Sequence, residues 1–189
     1  MNIVAAIQYW VVLISRFIEE FGTREDYSKK WETKSFKECC DVLYGFPFNS
    51  DLFNEEGNGM PLIRIRDINS GFSGTYTTEE ADNQYVIENG NLLVSMDGDF
   101  CAKVWNSGTA LLNQRTCKMN GKPGMIDDTF LLHYLAPELD EIHRSTSATT
   151  VKHLSAKEIN KLIVPVPPIE KQKEFAKFAK QVDKSKVIT

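Results

Sequence analysis

Apolar side chains recur at a helical spacing at the start of the chain. These positions, three and four residues apart, are Val4, Ile7, Val11, Ile14, Phe17, Ile18 and Phe21. The spacing predicts a helix over residues 3–21 that packs on other parts of the protein. Gly22 and the polar residues after it predict the end of this helix and a linker over residues 22–30. The apolar run is shorter than the roughly 20 residues of a membrane-spanning helix and has no Lys or Arg before it, so we predict neither a membrane segment nor a signal peptide.

A second helical signal lies near the other end of the sequence. Ser155 and Glu158 have the spacing of a capping box, in which each side chain accepts a hydrogen bond from the backbone N–H of the other residue. Leu154 and Ile159 are placed to form the hydrophobic staple that fixes the direction in which the chain enters a helix. The pattern therefore predicts a helix that begins at Ala156.

Prolines separate this helix from the next one. Residues 163–166 are mostly β-branched and include Pro165, a composition that favours an edge strand or an extended segment. Pro168 can occupy a first helical position, because its missing N–H would have no partner there. We predict that the chain is helical from Ile169 nearly to its end, so that a rigid helix leaves a compact domain.

Short strands and helices alternate between these two ends. Ser35 and Glu38 have the spacing of a second capping box, which predicts a helix of about two turns. Asp127 can cap a helix that runs through Tyr134. Strands interleaved with a few helices predict the α+β class. The segments predicted as strands are residues 62–68, 92–96, 100–104 and 109–115.

The charge is unevenly distributed along the chain. The formal net charge is −4 and the pI is about 5.5, values that are unusual for a nucleic-acid-binding protein. Residues 31–100 hold 4 Lys or Arg and 13 Asp or Glu, whereas residues 151–189 hold 9 and 4. The acidic first half argues against strong DNA binding by the isolated chain, although basic partner subunits can compensate. The lysines near the end have a simpler interpretation as the solvated face of an amphipathic helix.

The sequence lacks the motifs of common catalytic and metal-binding sites. It has no Gly-rich phosphate-binding or dinucleotide-binding motif, and its three histidines lie ten residues apart. Asp97 and Asp99 flank Gly98 in a pattern that a turn explains more simply than a pair of nuclease carboxylates. Cys39 and Cys40 lack the spacing of a thiol hydrolase, and the four cysteines are expected to be reduced in a cytoplasmic protein. We predict no cofactor, no metal site and no catalytic residue.

Several motifs of this sequence occur together in one known family. They are Trp31, Gly45-Phe46-Pro47-Phe48, PLIRIRDI from Pro61 to Ile68, LLVSMDG from Leu92 to Gly98, LNQR from Leu112 to Arg115, Phe130-Leu131-Leu132, Thr-x-x-His-Leu-Ser from Thr150 to Ser155, and Pro-Pro-x-x-x-Gln from Pro167 to Gln172. Over residues 31–183 the sequence resembles the DNA specificity subunits of type I restriction-modification enzymes.

The resemblance implies a domain organisation. A target recognition domain with a curved mixed β-sheet and short helices is expected at residues 31–168. An N-terminal apolar helix with its linker is expected at residues 1–30, and a spacer helix of coiled-coil type at residues 169–189.

The resemblance also implies a role and partners. Specificity subunits do no chemistry themselves but read double-stranded DNA, while modification subunits methylate adenine and a restriction subunit cleaves. The chain is therefore expected to direct these subunits to a bipartite site. A competing hypothesis, which the acidic residues 31–100 favour, is an interaction module that binds modification subunits or another specificity subunit without reading DNA.

Family members usually carry two recognition domains, whereas this sequence has one. We therefore expect two copies to pair through helices 3–21 and 169–187 and to present identical domains to a symmetric site. The alternative is that the last helix folds back on its own domain, because an apolar stripe usually faces a core. The residues predicted for the dimer contact are Ile169, Phe175, Phe178, Ala179 and Val182.

DNA readout needs hydrogen-bond donors that reach base edges and cations that neutralise phosphates. The alternation in residues 62–68 predicts that two arginines share one face of a strand. Salt bridges are the alternative role for these arginines, and holding a turn is the alternative for Asn113 and Gln114. The candidate DNA-binding residues are Arg64, Arg66, Lys103, Asn113, Gln114, Arg115 and Lys152.

Overall fold

The computed structural model describes residues 3–146 and 152–185, with side chains over residues 10–146 and 152–183. The α-helices are α1 (Ile3–Phe21), α2 (Tyr27–Lys30), α3 (Phe36–Cys39), α4 (Ile65–Ser70), α5 (Asp128–Ser145), α6 (Ala156–Asn160) and α7 (Ile169–Ser185). The strands are β1 (Thr33–Ser35), β2 (Cys40–Tyr44), β3 (Phe53–Asn54), β4 (Met60–Ile63), β5 (Tyr76–Thr77), β6 (Val86–Ile87), β7 (Leu92–Ser95), β8 (Ala102–Val104), β9 (Ala110–Leu112), β10 (Thr116–Gly121) and β11 (Ile163–Pro165). The predicted α+β class is confirmed.

Within residues 3–146 and 152–185 the strands form three sheets. The largest has five strands in the order β3-β5-β4-β9-β6 and is mixed, because β4 runs parallel to β9. The second is antiparallel and has four strands in the order β2-β10-β7-β8. The third consists of β1 and β11, with Ser35 opposite Ile163 in antiparallel register. A strand close to the start of α7 is therefore bound to a strand close to the end of α2.

The helix start at Ala156 and the extended segment predicted before the last helix are present, but the capping box is only half formed, because Glu158 Oε1 accepts from Lys161 Nζ at 2.8 Å. Ser155 Oγ accepts a hydrogen bond from Glu158 N–H at 3.2 Å, and α6 begins directly after Ser155. Leu154 and Ile159 are both fully buried, as a hydrophobic staple requires. β11 pairs with β1 alone, so the missing N–H of Pro165 does not interrupt a central strand. Thr150 and Val151 of the sequence motif lie outside the described residues.

α1, α5 and α7 meet at one end of the domain, which we call the helical end. Its centre is a group of four buried aromatic rings. The Phe21 ring centroid lies 4.9 Å from that of Phe130 and 5.6 Å from that of Phe175. The Phe17 centroid lies 5.4 Å from that of Phe175. Of the apolar positions predicted to pack, Phe17 and Phe21 therefore do so, whereas Val11, Ile14 and Ile18 are exposed. The side chains of Val4 and Ile7 lie outside the described residues.

α1 and α7 form a pair within the chain. Phe21 contacts Phe175, whereas Arg16, further from the domain on α1, lies 5.5 Å from the centroid of the Phe178 ring. The contacts thus step in opposite directions along the two helices, as in an antiparallel pair. No helix among the described residues is both long and apolar enough to cross a membrane. The predicted domain boundaries at residues 30 and 168 stay a prediction.

The apolar stripe of α7 is largely used inside the chain. Phe175 and Ala179 are buried, and Phe178 and Val182 pack against the same core. Ile169 is half-buried at the start of the helix. This is the arrangement in which the helix folds back on its own domain. Phe175 and Ala179 are therefore not on a surface that a second copy can reach.

The prediction of one strand over residues 62–68 is wrong. β4 ends and α4 begins within this segment. Asp67 explains the change, because its Oδ2 accepts a hydrogen bond from Arg64 N–H at 2.8 Å and caps the first turn of α4. Such local capping competes with strand pairing. Arg64 precedes the helix and Arg66 lies inside it, so the two arginines do not share a strand face.

The capping box at Ser35 is confirmed, but its helix is shorter than predicted. Ser35 N–H donates to Glu38 Oε2 at 2.8 Å, and α3 has only 4 residues. Cys40 already belongs to β2, which pairs with β10 from Cys40 to Tyr44. Sheet pairing therefore overrides the local helical signal after one turn.

Candidate nucleic-acid interface

Asn113, Gln114 and Arg115 form the tight turn between β9 and β10. Thr116 N–H donates to the Asn113 carbonyl at 2.9 Å, and Gln114 N–H donates to Asn113 Oδ1 at 2.8 Å. The side-chain oxygen of Asn113 is therefore used to hold the turn. Gln114 and Arg115 are exposed, so these two side chains remain accessible to a ligand.

Gly45 supports this turn from behind. A Cβ atom at Gly45 would lie 2.1 Å from the Asn113 carbonyl oxygen, a distance that no side chain can occupy. The close approach lets Gly45 N–H donate to the Thr116 carbonyl at 3.0 Å and Phe46 N–H donate to the Leu112 carbonyl at 2.9 Å. The Gly-aromatic-Pro-Phe motif therefore fixes the position of the predicted DNA-binding turn.

Four of the predicted residues surround one shallow cavity of about 460 Å³. Arg64 stands before α4, where Asp67 Oδ2 lies 3.7 Å from its Nε. Arg66 is exposed, and Arg115 has 54% of its side chain exposed. Guanidinium and amide groups are well suited to guanine and adenine edges and to phosphates. We call Arg64, Arg66, Asn113 and Arg115 the arginine rim.

Asp97 lies between two basic side chains at the same cavity. Its Oδ2 is 3.4 Å from Arg115 Nη1, and its Oδ1 is 2.5 Å from His153 Nδ1. The backbone joins the same segments, because Gly98 N–H donates to the Lys152 carbonyl at 3.0 Å. The turn after β7 therefore links the arginine rim to the segment that leads into α6.

The two predicted lysines lie outside the rim cavity. Lys103 Nζ donates to the Asn69 carbonyl at 2.9 Å, beside a smaller cavity of about 180 Å³ at the end of α4. Lys152 Nζ donates to the carbonyl of His143, and the His143 ring faces Asp99 at 3.7 Å. Both ammonium groups already have protein acceptors, so their part in phosphate binding stays a prediction.

Sequence reasoning missed Asp97 and His153 as members of this site. The turn predicted at residues 97–99 is present, with Gly98 at a φ of +70°. The same turn also anchors Arg115 and His153. No local pattern could indicate the pairing of Asp97 with His153, because the two residues are 56 positions apart in the sequence.

Other titratable groups belong to the core rather than to the rim. His133 is buried with its ring centroid 5.0 Å from that of Phe175, and burial lowers its pKa to about 4. Cys39 and Cys40 are buried with their Sγ atoms 3.9 Å apart, and the contact with Cys39 together with burial raises the pKa of Cys40. Within the described residues, no group of three or more His, Cys, Asp or Glu could hold a metal ion.

The α+β fold matches solved structures of one class of protein. One neighbour is a structure of the type I R-M system that concerns its complex assembly and conformational transition. It has a TM-score of 0.70 and 20% identity, and the match covers 94% of this chain and 45% of that one. The HsdS subunit from Thermoanaerobacter tengcongensis has a TM-score of 0.66 and 20% identity, and the match covers 94% of this chain and 44% of that subunit. These likenesses define the fold.

Sequence comparison is more specific. The chain is 38% identical over 160 residues to the EcoBI specificity subunit of Escherichia coli, which covers 82% of this chain and 34% of the relative. It is 20% identical over 178 residues to the MjaVIII specificity subunit of Methanocaldococcus jannaschii, covering 92% and 41%. Residues 28–189 match the type I restriction modification DNA specificity domain. The chain belongs to this family.

Family membership confirms two predictions. The resemblance seen in the motifs is correct, and the chain is not an enzyme, because the specificity subunits of type I restriction systems are non-catalytic. The chain spans 34% of the EcoBI subunit and 41% of the MjaVIII subunit, less than half of either relative.

Proposed function

We propose that this chain reads a DNA sequence and directs the modification and restriction subunits of a type I system to a bipartite site. In this role it acts in the cytoplasm, on double-stranded DNA. The observation that carries the proposal is the arginine rim, in a member of the specificity family. Arg64 and Arg66 come from the start of α4 and Arg115 from the β9–β10 turn, yet they face one opening. Guanidinium groups are the commonest specific ligands of guanine in the major groove.

Asp97 supports this role by holding Arg115 in place. The ion pair at 3.4 Å restricts the exposed Arg115 side chain, so less conformational freedom is lost when the guanidinium meets a base. The carboxylate also reduces the local positive charge. Non-specific attraction to phosphate is therefore weaker, and discrimination depends more on the bases that the rim contacts.

Methylome sequencing tests the proposal. Cells that express the chain with its modification subunits are expected to gain a methylated bipartite motif that is absent without the chain. Replacing both Gln114 and Arg115 with alanine should abolish or alter the motif. Arg144→Ala is the matched control, because it removes another exposed and ion-paired guanidinium, with 72% of its side chain exposed, from α5. An unchanged motif in the double variant would refute the base-reading role of the turn.

A second candidate function is an interaction module that does not read DNA. The acidic residues 31–100 favour it, and so does the presence of Asp97 and Asp99 at the rim cavity. The same experiment separates the two functions. A complex that contains the chain and its modification subunits but methylates no motif supports the interaction module.

We also propose that the working form is a homodimer. Val11, Ile14 and Ile18 of α1 are 56%, 50% and 43% exposed, and they follow the three- and four-residue steps of a coiled-coil seam. Because Phe175 and Ala179 are buried in the core of their own chain, we assign the contact between the two copies mainly to this outer face of α1. A second copy would supply the second recognition domain that a symmetric bipartite site needs.

Light scattering at micromolar concentration tests the dimer. The wild-type chain should have twice the mass of one copy, and Ile14→Lys should give a folded monomer. Ser15→Lys adds the same charge at the next, exposed position and should remain dimeric. A monomeric wild type, in a chain proved to be full length, would reject the homodimer and leave the DNA-reading role to be judged by the methylome.

A further inference from the structure

Phe72 is exposed directly beside the arginine rim. It is 65% exposed, more than any other large apolar side chain in residues 10–146 and 152–183. It lines a shallow cavity of about 370 Å³ together with Arg64 and Arg66. A single exposed apolar residue is common in proteins. Phe72 differs from such residues in how its backbone is held and in which side chains lie beside it.

The backbone around Phe72 is fixed on both sides. Gly71 ends α4 in the left-handed conformation, at a φ of +70°. Ser70 Oγ lies 2.9 Å from the Phe72 carbonyl, to which it donates, and it accepts from Phe72 N–H at 3.3 Å. On the other side, the buried Ser73 Oγ donates to the Leu62 carbonyl at 2.6 Å. The loop is therefore held to β4 and α4 while the ring itself faces solvent.

A second contact ties this loop to a neighbouring one. Ser107 Oγ donates to the carbonyl of Gly71 across 36 residues of sequence. The loop before β9 therefore supports the end of α4 as well. Such support is typical of a recognition group, because a side chain presented on a rigid backbone loses little freedom on binding.

The neighbours of Phe72 indicate what the ring contacts. Arg64 and Arg66 offer the donors that fit guanine edges and phosphates. In the major groove, the apolar group that a base pair presents is the 5-methyl group of thymine, and Phe is one of the side chains that contact it. A pair of guanidinium groups with an exposed aromatic ring beside them is therefore suited to a site in which thymine lies next to guanine or to a bound phosphate.

We propose that Phe72 is a specificity-determining residue that packs its ring on the 5-methyl group of a thymine in the target half-site. The inference rests on the proposed DNA-reading function. Phe72 lies outside the sequence motifs that the chain shares with its family.

Thymine-to-uracil exchange tests the contact, because it removes only the methyl group. The probe is a duplex carrying the methylated motif of the wild-type complex, bound by the full chain assembled with its modification subunits. Each thymine of the half-site is replaced by uracil in turn. Wild type should lose affinity about fourfold at one thymine, the effect of one buried methyl-sized group. Phe72→Ala should bind that uracil duplex and the thymine duplex equally.

Two variants control the measurement. Phe72→Leu keeps an apolar side chain and should retain part of the uracil sensitivity. Leu52→Ala removes an apolar side chain that is 41% exposed elsewhere and should behave as wild type. Circular dichroism of Phe72→Ala should match the wild type, because the ring makes little contact with the core.

The outcomes separate this inference from the function on which it rests. A wild-type complex that reads a motif but has the same uracil sensitivity as Phe72→Ala overturns the inference alone. A 2-aminopurine signal showing that Phe72 unstacks a base step also overturns it, because the ring would then act as a wedge. A wild-type complex that reads no motif overturns the proposed function and this inference together.

Discussion

The helical end and the arginine rim are stabilised in opposite ways. At the helical end, Phe17, Phe21 and Phe175 are buried against one another and against α5. At the rim, Arg66 is exposed and Arg115 is held by a half-exposed ion pair with Asp97. Burial of an aromatic ring contributes several times more to folding stability than an ion pair open to solvent. The rim can therefore change its side chains at little cost in stability, whereas the helical end cannot.

The largest expected effect comes from the helical end. Phe175→Ala should lower the free energy of unfolding by about 4 kcal/mol, because it leaves a cavity among fully buried rings. Urea denaturation followed by circular dichroism measures the loss. Glu174→Ala changes the adjacent exposed position and should be close to neutral. A loss below about 1 kcal/mol in Phe175→Ala would mean that α7 does not depend on this core.

Acid should weaken the helical end by a comparable amount. Burial lowers the pKa of His133 to about 4, whereas the unfolded chain binds that proton near pH 6.5. The pKa of His133 is lower in the folded chain than in the unfolded one. The contribution of neutral, buried His133 to the free energy of unfolding is therefore complete above about pH 6.5 and is lost as the pH falls toward 4. The expected loss is up to about 3 kcal/mol.

Unfolding measured across that pH range checks this prediction. His133→Leu removes the titrating group and should flatten the pH dependence of the free energy of unfolding between about pH 6.5 and 4. His153→Gln removes the exposed histidine that is bonded to Asp97 and should keep most of the pH dependence. If the free energy of unfolding of His133→Leu fell with pH as steeply as in the wild type, His133 would not be the group responsible for the acid sensitivity.

A smaller effect is expected behind the rim. Gly45→Ala would bring a Cβ atom to 2.1 Å from the Asn113 carbonyl oxygen, so the two backbone segments must separate. We expect a loss of about 2 kcal/mol in urea denaturation. Gly74→Ala is the matched control, because its nearest neighbour is 3.6 Å away, an ordinary contact. Equal stability of the two variants would show that the β9–β10 turn can move freely.

The smallest effect is expected from the charge at the rim itself. Asp97→Asn removes the partner of Arg115 and His153, yet stability should fall by less than about 1 kcal/mol, because both bases are about half exposed. Asp99→Asn, at a side chain that is 96% exposed, should be neutral. A loss of about 3 kcal/mol from Asp97→Asn would mean that the contacts of Asp97 behave like buried salt bridges. The rim would then contribute to folding stability as strongly as the helical end.

The sequence predicts those parts of the fold whose signals are local. The helix over residues 3–21, the joint at Ser155 and the cap of α5 are all present, with Thr129 N–H donating to Asp127 Oδ1 at 2.8 Å. The strand predicted over residues 62–68 fails because the cap at Asp67 outweighs the apolar alternation around it.

The candidate site is predicted only as separate residues. Each member of the arginine rim carries a suitable side chain, but their meeting depends on the parallel pairing of β4 with β9, which sets Leu62 opposite Leu111. The hydrogen bond between Asp97 and His153 depends on a similar long-range contact. Periodicity and capping rules report on neighbours in sequence, and neither can specify which strands pair.

The pairing of β1 with β11 has a wider consequence. Thr33 lies opposite Pro165, so the chain enters and leaves the part that contains the other sheets at adjacent positions. That part is an insertion in a helical hairpin made of α1 and α7. Its helix α5 packs on α1 through Phe130 and on α7 through His133, so a replacement would have to keep this helix to leave α1 and α7 in place. A change at the arginine rim that leaves α5 and the β1–β11 pair in place would therefore leave the direction of both helices unaltered.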